Sequence, residues 1–163
     1  IVNISSIHGI YSDSLSGHYS MSKHAVEAYT DSLAAEMDRF GVKVSVIEPG
    51  SFASNAGEAA IERLEEKMYW DKNSAYKDEL VFIKSITADS SSGKDPTDVA
   101  KAIMHALSSE TPKRRYLVAD AQTTHIAINN SLKRVLQLNQ DQANTKSRGQ
   151  LIKALDSELQ KLN

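Results

Sequence analysis

The stretch "NISSIHGIYSDSLSGHYSMSK", residues 3–23, decides the fold, because a strand ends and a helix begins within it. Upstream, "IVNIS" at 1–5 is rich in β-branched residues and reads as a strand closing at Ser5 or Ser6. Downstream, Met21, Ala25, Ala28, Tyr29, Leu33, Met37 and Phe40 recur at helical spacing over residues 18–40 and predict one buried apolar stripe, with Gly41 as the stop. "VKVSVIEPG" at 42–50 is again a strand, closed by Pro-Gly. Strand, long helix, strand within about fifty residues is a βαβ unit, whose parallel strands need helices on both faces. The expected fold class is α/β, a doubly wound parallel sheet.

The remainder reads as more helical. Ile61, Leu64 and Met68 share a face over 57–70, where Tyr69 and Trp70 follow, and residues 71–95 look polar and irregular, ending in "ADSSSGKDP". "DPTDVAKAIMHALSS" places Asp95 to cap and Pro96 at the first helical position. "RYLVA" at 115–119 is a short strand, and "PKRR" before it reads as a solvated turn. Helices are predicted over 123–139 and 149–162; the apolar stripe of the last one docks on its own domain or, alternatively, forms a subunit contact in a homo-oligomer. No internal repeat or second-domain boundary is visible. Ile1 lies inside a strand, which predicts a chain that begins part-way through a protein.

Composition excludes several functions. The 163 residues are 40% hydrophobic and 25% charged, with a formal net charge of −2, which offers no electrostatic footprint for nucleic acid or a membrane surface. No cysteine is present, so disulfides, thiolate metal sites and a cysteine nucleophile are ruled out and a cytoplasmic setting is favoured. No apolar run approaches the ~20 residues of a membrane span. His8, His18 and His24 crowd one region but share no ligand spacing with a carboxylate pair, so no metal site is predicted.

The chemistry is concentrated in Ser6, Tyr19 and Lys23. Residues four apart on a helix share a face, so Lys23 stands beside Tyr19. A free phenol ionises at about pH 10 and is a poor base near neutrality, but a neighbouring cation favours its ionised form. Such a tyrosine gives a proton to a carbonyl oxygen or takes one from an alcohol. Ser6, at a strand end, offers a hydroxyl to the same oxygen. Both Ser6 and Gly50 fall just past predicted parallel strands, where open α/β sheets bind ligands.

Taken together, "NISS", "YSMSK" and "IEPGSFAS", in this order and spacing, resemble the short-chain dehydrogenase/reductase family in its single-domain branch, over roughly residues 1–120. The resemblance implies the C-terminal portion of a Rossmann-like domain, with 121–163 as a helical extension. It makes Tyr19 the general acid/base, Ser6 the group that orients the substrate oxygen, and Lys23 the partner of the nicotinamide ribose and of Tyr19. Pro49 and Gly50 would form the wall against the nicotinamide, Phe52 and Ser54 would meet the carboxamide, and the cofactor would be NAD or NADP. Ser6, His8, Ile10 and Tyr11, with Leu15 in the same loop, would face the substrate. Hydroxysteroid- and retinol-type members look most similar, implying a small alcohol or carbonyl compound, preferably lipophilic. The seven glycines form neither G-x-x-x-G-x-G nor G-x-G-x-x-G, and the residue that selects NAD or NADP and the family's catalytic asparagine are missing. The expected reading is therefore the C-terminal part of a longer enzyme, inactive in isolation. The alternatives are a catalytically silent Rossmann-like module and an extended-branch epimerase or dehydratase, against which the Pro-Gly block argues.

Overall fold

The computed structural model describes residues 1–55, 59, 61–62, 74–87, 93–140 and 143–161. Three strands, β1 (Val2–Ile4), β2 (Ser45–Pro49) and β3 (Arg115–Val118), form a parallel sheet in the order β1-β2-β3. A single 3₁₀ turn, Ile7–Gly9, follows β1 and leads to the long helix α1 (Gly17–Asp38). Helices α2 (Lys77–Thr87), α3 (Thr97–Ser108), α4 (Ala121–Leu138) and α5 (Arg148–Gln160) complete the described elements. This is the α/β arrangement read from the sequence.

Helices cover both sides of the sheet. Alternate residues of a strand face opposite sides, and in β3 Arg115 reaches acidic residues of α1 while the next residue, Tyr116, shares a hydrogen bond of 2.7 Å with His105 Nδ1 of α3. Val46 and Ile47, at the centre of β2, are fully buried between the two layers.

The underside of α1 differs from the apolar stripe that its sequence predicts. The buried residues are Ser20, Glu27, Thr30 and Ala34, whereas Met21, Tyr29 and Phe40 are exposed. The reason is hydrogen bonding: Asn3 of β1 donates to Thr30 Oγ1 at 2.9 Å, and Glu27 pairs with Arg115. A polar group can be buried when its partner is already in place. Arg115 is likewise no solvated turn residue.

Two further expectations need correction. Residues 77–87, read as irregular, form α2, whose first turn carries Asp78 and Glu79 against the positive end of the helix dipole and whose last turn carries Lys84. Pro96 is the N-cap of α3 rather than its first helical residue, although Asp95 still caps by accepting from Thr97 N at 2.8 Å. Of the helix expected over 57–70, only residues 59, 61 and 62 are described, and they are helical; Leu64, Met68, Tyr69 and Trp70 lie outside the described residues. No residue of α5 is buried, and its Ile152, Leu155 and Leu159 are exposed, so its stripe is not docked on the described part of the chain.

Gly41 ends α1 as read from the sequence. Its φ of +69° is left-handed, and its N–H donates to Asp38 O at 2.9 Å. A Cβ there meets nothing within 4 Å, so the cost of Gly41→Ala is conformational alone. That variant loses about 1 kcal/mol of stability, measured by urea denaturation of the two proteins side by side; an unchanged midpoint would contradict the assigned cap.

Candidate active site

The site forms where β1 and β2 end. Ser6 leaves β1 with extended backbone and caps the 3₁₀ turn, its Oγ accepting the His8 N–H at 3.2 Å. The hydroxyl hydrogen of Ser6 is not consumed by that bond. Ser5, the competing serine, instead donates from Oγ to the backbone oxygen of Lys23 at 3.4 Å and so stitches the strand end to α1. Gly9 permits this closeness: a Cβ there would lie 2.5 Å from Ser5 Oγ and 2.9 Å from Glu27 Cγ.

Tyr19 and Lys23 lie in the first two turns of α1. Lys23 Nζ stands 5.7 Å from the centre of the Tyr19 ring and donates to Ile4 O at 3.4 Å, so the ammonium bridges the helix and the tip of β1. The His8 ring meets Tyr19 edge-on at 5.5 Å and stacks on Tyr11 at 5.6 Å. Tyr19 is 43% exposed while Ser6 is 7% exposed, so the phenol is accessible and the serine is buried at the strand end. Ser6, Tyr19, Lys23, His8 and Tyr11 are thus linked through the 3₁₀ turn.

His8 is held by its surroundings: Nδ1 lies 3.3 Å from Ser20 Oγ and 3.5 Å from Ser16 Oγ, and Nε2 is 3.9 Å from Asp13. Burial pushes its imidazole below the ordinary range, with Asp13 opposing and His24 reinforcing. Burial, reinforced by Asp13, raises the Tyr11 phenol. None of this was legible from spacing, although the serines at 16 and 20 lie four apart on the side of α1 that meets His8.

The end of β2 forms the second wall. Gly50 donates its N–H to Val118 O at 2.8 Å, and a Cβ there would sit 2.9 Å from Ala119 Cβ and 3.5 Å from Thr123 Cγ2. Only glycine lets the start of α4 lean this closely on the β2 tip. Pro49 is half-buried beside it. Beyond, Phe52 lies under Lys94, whose Nζ is 5.8 Å from the ring, and Ala53 N donates to Lys94 O at 2.9 Å; Ser54 is exposed. Among the described residues no group of His, Asp or Glu could hold a metal ion, and no helix is long and apolar enough to cross a membrane.

Residues 1–65 match the family model for short chain dehydrogenases. Mouse retinol dehydrogenase 16 is 36% identical over 124 residues, spanning 71% of this chain and 39% of that protein. Rat mitochondrial D-beta-hydroxybutyrate dehydrogenase is 36% identical over 127 residues, spanning 71% and 37%. The chain belongs to the short-chain dehydrogenase family. It spans well under half the length of these relatives. A Streptomyces avermitilis short-chain dehydrogenase superposes with a TM-score of 0.63 at 27% identity, over 84% of this chain and 48% of that one. The fold also matches a Burkholderia phymatum short-chain dehydrogenase/reductase solved in complex with NAD, with a TM-score of 0.60 at 24% identity, over 90% and 51%.

Two consequences can be measured. Gly50→Ala forces the Ala119 backbone away from β2 and costs about 1–3 kcal/mol; a melting temperature equal to wild type would show that the close approach is not needed. His8, with its value lowered by folding, contributes stability above the unfolded value of 6.5 that is lost as pH falls. The stability difference between wild type and His8→Gln therefore shifts against wild type from pH 7 to pH 5, and a pH-independent difference in paired thermal melts would refute this.

Proposed function

We propose that this chain is the substrate- and nicotinamide-facing part of an NAD(P)(H)-dependent oxidoreductase that interconverts an alcohol and a carbonyl compound. The observation that carries this reading is the Lys23 ammonium over the ring of an accessible Tyr19 and tethered to Ile4 O at the carboxyl end of β1, where Ser6 begins the turn that leads to α1. Residues 1–120 then belong to a Rossmann-like domain whose pyrophosphate cradle is not among the 163 residues, and 121–163 are its helical extension.

Each residue has a role that its contacts allow. Tyr19 gives its hydroxyl proton to the substrate oxygen in reduction and takes a proton from the alcohol in oxidation. Ser6, already accepting from His8 N–H, donates its own O–H to the same oxygen and fixes where it sits. Lys23, tethered to Ile4 O, steadies charge on the Tyr19 oxygen and presents further N–H groups outward.

The donor set fits a nicotinamide nucleotide. A ribose diol needs hydrogen-bond partners at the strand ends, and Lys23 and Tyr19 supply them; Pro49 and Gly50 form the wall beside it, and the backbone at Phe52 and the Ser54 hydroxyl would meet the carboxamide. When bound there, the nicotinamide supplies the hydride chemistry, and the protein supplies position and electrostatics. His8, Ile10 and Tyr11 line the substrate side of the loop that leads to α1, and their apolar and aromatic faces favour a lipophilic substrate. The retinol and hydroxybutyrate dehydrogenase relatives support an alcohol or carbonyl substrate, and the retinol relative agrees with the apolar lining.

In the intact enzyme, Tyr19→Phe lowers turnover by about 10²–10⁴ with folding unchanged by circular dichroism, while Lys23→Met raises the KM for the nucleotide as well. Full activity in Tyr19→Phe would make the protein a silent Rossmann-like module. The 163-residue chain, lacking a glycine-rich cradle, gives no saturating fluorescence change with micromolar NADH; saturation there would overturn the proposed division of the binding site.

A further inference from the structure

The most unusual grouping outside the Ser6–Tyr19–Lys23 constellation lies beneath α1. Arg115 Nη1 donates to Glu48 Oε1 at 2.8 Å and to Glu27 Oε2, and Nη2 spans both oxygens of Asp31 at 2.9 and 2.8 Å. Three carboxylates thus converge on one guanidinium. Asp31 is exposed and hydrated, but Glu27 and Glu48 are 8% and 2% exposed. Glu27 Oε1 is buried and has no hydrogen-bond partner among the described residues.

Those facts do not balance if both buried carboxyls are ionised. Two adjacent carboxylates out of water repel, and a single cation shared with a third cannot neutralise them; such pairs retain a proton. The charged groups acting on Glu48 are Glu27 of α1 and Arg115 of β3, Asp31 of α1 shares that Arg115, and Gly9 of the segment between β1 and α1 passes close to Glu27 and Ser5. A proton shared between the two carboxyls that meet at Arg115 Nη1 removes that repulsion.

We propose that Glu27 and Glu48 hold a single proton between them beneath Arg115, and that the resulting clamp is a positioning device which sets the end of β2 against the working face of α1. The connection is short at both ends. Glu48 immediately precedes Pro49 and Gly50, and Glu27 lies one turn beyond Lys23 and two beyond Tyr19. Burial raises Glu48 to about 7, with Arg115 opposing and Glu27 reinforcing, so Glu48 loses its proton across the neutral range. Loss of the proton leaves two buried negative charges side by side, which push the β2 tip away from α1. The shared proton rests on two buried carboxyls meeting at one guanidinium nitrogen, and its effect on the nicotinamide wall rests on the proposed function.

The test separates the two parts. In the intact protein carrying glutamate labelled with carbon-13 at Cδ, one resonance titrates near neutrality, and it vanishes in Glu48→Gln. If every glutamate resonance in wild type titrates below pH 5.5, the shared proton is refuted. A group whose value is raised by folding stabilises below its unfolded value and loses that contribution as pH rises, so the melting temperature of Glu48→Gln gains on wild type from pH 5 to pH 8. For the positioning role, the KM for NADH or NADPH rises several-fold from pH 6 to pH 8 in wild type and stays level in Glu48→Gln, while Glu48→Ala has a raised KM throughout. A neutral titration with a pH-independent wild-type KM would leave the proton in place and refute the positioning role. A protein without oxidoreductase activity would refute the proposed function and the positioning role together, and the labelled spectrum would still decide the proton.

Discussion

One guanidinium fastens the longest helix to the sheet, and the position of everything at the strand ends follows from it. A helix that docks by apolar contact can slide or roll by a fraction of a residue at little cost, because hydrophobic burial has no direction. The underside of α1 does not dock that way. Its buried residues are Ser20, Glu27, Thr30 and Ala34, and two of these are tied by name to sheet partners, Thr30 to Asn3 and Glu27 to Arg115. Arginine's rigid fork accepts carboxylates in few orientations. Removing the guanidinium would leave the buried Glu27 and Glu48 without their cation, which costs more than the intact set gains. The arrangement therefore contributes register more than it contributes net stability.

Register is what the strand ends need. Tyr19 and Lys23 are useful only if their turns of α1 lie beside the tip of β1, and three contacts hold them there: Lys23 Nζ to Ile4 O, Ser5 Oγ to Lys23 O, and the close passage of Gly9 against Glu27. The last of these joins the clamp to the 3₁₀ turn. Because Ser6 caps that turn and His8 lies within it, the same fixing of Glu27 sets the Ser6 hydroxyl and the imidazole edge that meets Tyr19. At the other end of the clamp, Glu48 leads directly to the Gly50 contact with Ala119.

The strands and the long helix were readable because they rest on local signals: β-branched runs at 1–5 and 42–48, Pro49-Gly50, and Gly41 at the position where a left-handed residue ends α1. Ser6, Tyr19 and Lys23 could be proposed from the sequence because their spacing is short-range and their types are chemically suggestive. The buried face of α1 was not, since an apolar stripe is the usual mark of a docked face and here Met21, Tyr29 and Phe40 are exposed instead. Glu27 and Glu48 drew no attention in the sequence because their partner is distant: Arg115 is 88 residues from one and 67 from the other. No local rule connects them. The helix at 77–87 was missed for a different reason, its neighbourhood being read as one polar run up to residue 95.

The loop between the 3₁₀ turn and α1 is held in one conformation by its own bonds. Leu15 has a φ of +63°, a conformation that a leucine side chain disfavours and that persists only where neighbouring bonds enforce it. Those bonds are present: Ser16 Oγ donates to Asp13 O at 2.8 Å and accepts from Asp13 N at 3.2 Å, closing the loop on itself. Ser16 and Ser20 then hold His8, which stacks on Tyr11 and meets Tyr19. The residues proposed to face the substrate are consequently ordered before it arrives, and binding need not supply that ordering. Tyr19 can remain open to solvent without being loose, because its neighbours on either side, the Lys23 ammonium and the His8 ring, are each anchored to a different part of the fold.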